Sequence, residues 1–87
     1  MDGERLNNMY KVYVIGSEMY YTGYALVAAE NAEMATKEIE IFKKADKDNS
    51  RDSKGYNSSV SEDDALEGVF SENSGIIFHG IRYTGWC

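Results

Sequence analysis

The chain has 87 residues, of which 43% are apolar and 28% charged, with a net charge of −6 and no proline. That length makes one domain with a small core, and the composition is that of a globular protein. No apolar run approaches the ~18 residues of a membrane span. Residues 1–8 hold no apolar stretch of the signal-peptide kind, and the single Cys87 excludes an internal disulfide or a cysteine zinc site. A cytoplasmic protein is the expectation.

Residues 1–8 are polar and read as a flexible lead-in. Met9 to Ile15 is rich in β-branched and aromatic residues and predicts a strand. Tyr10, Val12 and Val14 share one of its faces, and Met9, Lys11, Tyr13 and Ile15 the other. Both faces are apolar enough to place it inside a sheet. Gly16-Ser17-Glu18 breaks the pattern, Met19 to Gly23 reads as an aromatic loop, and Tyr24 to Ala29 as a second, antiparallel strand. Asn31 is a good helix N-cap. After it Ala32, Ala35, Ile39 and Phe42 fall on one stripe, which predicts a helix over 32–45. Glu33 with Lys37 and Glu40 with Lys44 support it as i,i+4 pairs.

Residues 46–61 show no periodicity and read as a mobile polar loop. Ser61-x-x-Asp64 resembles a capping box for a short turn over 62–67 that Gly68 ends. A small strand near Val69 and a last strand, Ile76 to Tyr83, complete the chain. Gly80 in that last strand marks a bulge or a close contact. The elements fit an α+β fold of β-β-α-β order, a mainly antiparallel sheet of three to four strands with one helix on a face. The expected core is Val12, Val14, Leu26, Val27, Ala35, Ile39, Phe42, Ile76 and Phe78.

The strand, tyrosine-glycine loop, LVAAENAEMA segment and helix between Tyr10 and Ala35 resemble a group of small uncharacterised proteins of gut Bacteroides-type bacteria and their phages. The closing GIIFHGIRY resembles the last strand of the same group. The resemblance covers about half the chain. It implies a mobile-element or phage setting and passes on no functional residues.

Twelve of the fifteen acids lie in residues 30–75, against six bases, so the negative field belongs to the middle of the chain. Such a field repels phosphate backbones and argues against direct nucleic-acid binding. His79 lies in mid-strand and Cys87 is the last residue, so neither has the partner a nucleophile needs. Asp46-x-Asp48-x-Ser50 starts like a calcium loop. It then fails at Arg51, where the turn needs glycine, and at Asn57, where a bidentate Glu belongs. Glu62, Asp63, Asp64 and Glu67 read as carboxylates suited to a helix N-terminus. No glycine-rich phosphate loop is present. No catalytic, cofactor or metal site is expected.

Aromatic residues make up 13% of the chain, and Tyr20, Tyr21 and Tyr24 stand within five positions. Tyrosine offers rigid area with a polar tip, which interfaces use. These three, with Trp86 as a neighbour, are the candidate partner-binding residues. The reading that follows is a small acidic non-enzymatic module that binds a protein partner, or itself, through a tyrosine-rich hairpin. The alternative is a phage-type acidic decoy that inhibits a host nucleic-acid-binding enzyme.

Overall fold

The computed structural model describes residues 9–45 and 54–84. β1 (Tyr10–Ile15) and β2 (Tyr21–Ala29) lead into α1 (Ala32–Ala45). A 3-10 turn (Glu62–Asp64) then precedes β3 (Ala65–Ser71) and β4 (Gly75–Tyr83). The strands form one antiparallel sheet in the order β3-β1-β2-β4, with the helix on one face. This is the α+β fold that the periodicity predicts, with β1 inside the sheet.

Local chemistry sets the helix ends. Asn31 Oδ1 accepts from the Met34 amide at 2.9 Å, Glu33 lies in the first turn, and Lys43 and Lys44 in the last. β2 begins three residues earlier than expected. Tyr21 and Thr22 pair with Tyr83 and Arg82, so the segment read as a loop is partly strand. Gly23 permits this. Its φ is +128°, and a Cβ there would stand 2.1 Å from the Gly80 carbonyl oxygen. Gly80 marks that close contact, while the register shift of β4 lies upstream, at Ile77 between the Leu26 and Val27 pairs. The expected turn over 62–67 is shorter than predicted. It stops at Asp64 because Ala65 takes extended backbone and joins β1, although the Ser61/Asp64 capping box forms.

One buried cluster holds the two layers together. Tyr13 and Ile15 of β1 meet Ala25, Val27 and Ala29 of β2, Ala32, Ala35 and Ile39 of α1, and Tyr56. The alanines on both sides let helix and sheet approach closely. The expected core needs correction here. Val14, Leu26 and Phe78 lie on the opposite side of the sheet, because the helix settles over the odd-numbered residues of β1 and β2. Val12 shares that side but is buried as expected. Phe78 is 44% exposed. Val27, Ala35 and Ile39 are buried as expected, with Phe42 and Ile76 packed at the rim.

The polar stretch also departs from expectation in its second half. Gly55 and Tyr56 are buried, and Ser17 bridges to Tyr56 as an extra pair beyond the end of β1. The Lys43 ammonium donates to the Tyr56 carbonyl (2.8 Å) and to Ser58 Oγ (2.9 Å). A single aromatic residue with a buried slot is enough to pull an otherwise solvated segment onto the fold. The residues assigned to 1–8 and to the first half of the loop, 46–53, lie outside the described ones.

Candidate functional site

Neighbouring Cα partners in a sheet share a face. Val14 opposes Leu26 and Leu26 opposes Phe78, so one apolar row crosses three strands on the side away from the helix. Tyr24 sits diagonally from Phe78, with the ring centroids 5.2 Å apart and the planes tilted by 39°. Tyr24 opposes Gly80. A Cβ at Gly80 would lie 3.4 Å from the tip of the Phe78 ring, so the missing side chain makes room for the ring to lean toward Tyr24. Tyr24 is 46% exposed and Phe78 44%. Two large rings thus lie open on a sheet face that no described helix covers, the kind of patch that marks a contact surface.

The predicted tyrosine cluster is divided by this geometry. Tyr24 belongs to the open face. Tyr21 points to the helix side, where its ring fills the space a Gly55 side chain would need and stands 5.1 Å from Tyr83. It is therefore a packing residue, and the earlier grouping with Tyr24 is corrected by strand alternation. Tyr20 is exposed in the turn before β2 with φ +75°. Its carbonyl accepts from both the Thr84 amide (2.7 Å) and the Thr84 hydroxyl (2.8 Å), which hold that turn to the end of β4. Trp86 lies outside the described residues, as does Cys87. Phe78, which sequence reasoning gave to the core, is the exposed residue it missed, and Leu26 beside it is half-buried. The signal was the run of small side chains at Ala25 and Ala29, which marks the face that a helix can approach.

The acidic group around Glu62 has a structural explanation. One carboxylate oxygen accepts from the Tyr13 hydroxyl at 2.7 Å and the other from the Ala32 amide at 2.7 Å. Lys11 stands 3.6 Å away, an exposed ion pair that adds little. The carboxylate closes the N-terminus of α1 and ties the 3-10 turn to β1. The Ala32 amide, then the Tyr13 hydroxyl, holds Glu62 below the ordinary carboxylate range. Burial, then the Glu62 hydrogen bond and charge, pushes Tyr13 up to about 12. These groups are fully engaged in holding the fold.

His79 meets Phe42 in a tilted ring contact, with centroids 4.8 Å apart and planes at 50°. Among the described residues, no group of three or more His, Cys, Asp or Glu could hold a metal ion. The residues of the partial calcium pattern at 46–51 lie outside the described ones. One cleft of about 280 Å³ is lined by Glu40, Lys43, Lys44 and Ser58. Its lysines and its serine are those that tie α1 to residues 56–58 or flank that tie. No described helix is long and apolar enough to cross a membrane. No family model matches the chain, and no curated protein or solved structure matches it either.

Proposed function

We propose that the protein is a small, acidic, non-enzymatic interaction module that binds a protein partner through the open face of its sheet. The observation that carries this reading is the exposed Tyr24–Phe78 pair at the end of the Val14–Leu26–Phe78 row. Aromatic anchors flanked by smaller apolar residues are the usual centre of a protein interface. Arg82, opposite Thr22 on the same face, supplies a charged rim. The mobile-element or phage setting and the cytoplasmic location belong to the same proposal. The acidic residues act in it as a solvating surface, since on α1 Glu33 and Glu40 alternate with Lys37 and Lys44.

The test is quantitative capture of host-lysate proteins on immobilised wild type, Tyr24→Ala and Phe78→Ala, each at low and high salt. Loss of a captured protein from both variants, with little salt dependence, supports the open face. Capture that ignores both substitutions and collapses at high salt supports the acidic decoy instead, because charge then supplies the affinity.

A further inference from the structure

The two edges of the sheet are built differently. Along β3, one residue of β1 (Val12) stands against four of β3, residues 66–69, between the Lys11–Phe70 and Tyr13–Ala65 pairs. That bulge carries Glu67 and a positive-φ Gly68, so the edge is broken and charged in the way that blocks further pairing. At the other edge, β4 runs nine residues, Gly75–Tyr83, and among the described residues it pairs only with β2. Its register shifts once, at Ile77, and from Phe78 to Tyr83 it pairs with β2 without interruption. That stretch has no proline and no acid, and Arg82 is its one fixed charge. Ile77 is 50% exposed and Phe78 44%. A long apolar edge without these guards is a template for another strand.

We infer that β4 pairs with the β4 of a second copy, antiparallel across a two-fold axis, to give one eight-stranded sheet. An antiparallel strand is self-complementary about such an axis, so one edge serves both copies and the assembly closes as a dimer. Charge favours the same occupant. The chain carries −6 overall, yet this strand holds none of its acids, so it is the edge along which two copies approach without facing carboxylates. With Gly80 near the axis, Phe78 of one copy lies opposite Arg82 of the other, a ring-cation pair. Pairing sets the two open faces side by side; it rests on the strand edge, shares Phe78 and Arg82 with those faces, and leaves Tyr24 outside the seam.

The experiment uses the full chain under reducing conditions, so that Cys87 cannot cross-link copies. Sedimentation velocity and amide exchange are followed from micromolar to millimolar protein. The expected result is a concentration-dependent dimer in which alternate amides of 78–83 exchange about tenfold or more slowly at the high end, while the amides of 66–69 do not change. Ile77→Lys combined with His79→Lys, with helix content and melting as fold controls, is expected to sediment as a monomer throughout. Tyr24→Ala is expected to dimerise like wild type. A wild-type monomer at all concentrations overturns the inference. So does a dimer without added protection in β4, or one abolished by Tyr24→Ala and kept by the double lysine variant.

Discussion

On the side that α1 covers, β2 presents Ala25, Val27 and Ala29, all buried. On the reverse side the same strand presents Tyr24, nearly half exposed, and half-buried Leu26, with the small Ala28 buried at its far end. Small side chains bring a helix close, and its burial closes that side. Large rings on the reverse meet no described helix and stay in contact with solvent. The difference shows that in a two-layer domain the choice of face is made by side-chain size as much as by hydrophobicity, because both sides of β1 and β2 are apolar.

The sharpest way to break the covered side is to disturb the β2–β4 seam that supports both. Gly23→Ala adds a Cβ that meets the Gly80 carbonyl at a φ of +128°. A loss on the order of 3 kcal/mol or more is expected in chemical denaturation. Next comes Ile39→Ala, which opens a hole beneath α1 where the side chain is fully buried. It should cost about 2–4 kcal/mol in the same assay.

Smaller effects come from the Tyr13–Glu62 contact, and they are read by pH. Glu62 is lowered in the folded state, so its stabilisation is present above the ordinary carboxylate range and is lost as pH falls through its folded value. Tyr13 is raised to about 12. The unfolded chain therefore ionises first, and stability falls as pH rises from the ordinary tyrosine range near 10 toward 12. Melting temperature against pH should decline at both ends. Tyr13→Phe should remove the alkaline decline, and Glu62→Gln should flatten the acid one. The smallest change is expected at Tyr20→Gly. Relief of the left-handed backbone there should leave stability unchanged or raise it by up to about 1 kcal/mol.

The helix was legible from Asn31 onward because its cap, stripe and charge pairs agree, and β1, β2 and β4 were legible from their β-branched and aromatic runs. β3 was legible only near Val69, since Ala65 to Glu67 read as part of a helical turn. Which face of β1 is core was not. Val12 and Val14 are as apolar as Tyr13 and Ile15, so alternation alone is symmetric there, and β2 tips the balance only weakly, with Ala25 and Ala29 on the helix side and Ala28 on the other. Tyr56 was unreadable for a different reason. Its slot is made by Phe42 and the end of β1, which are distant in sequence. The site was half legible: aromatic content pointed to a contact surface, but proximity in sequence grouped Tyr21 with Tyr24, which the strand places on opposite faces. Phe78 joins Tyr24 only through the β2–β4 pairing, a long-range contact that no local pattern announces.

The division between the two faces is tested most directly by Phe78→Ala beside Ile39→Ala, with melting temperature and protein capture measured on the same preparations. The account predicts that Phe78→Ala melts within a few degrees of wild type and loses most of the captured protein, whereas Ile39→Ala melts far lower. A Phe78→Ala variant that melts as low as Ile39→Ala, and in its folded state still captures the same protein as wild type, would contradict it.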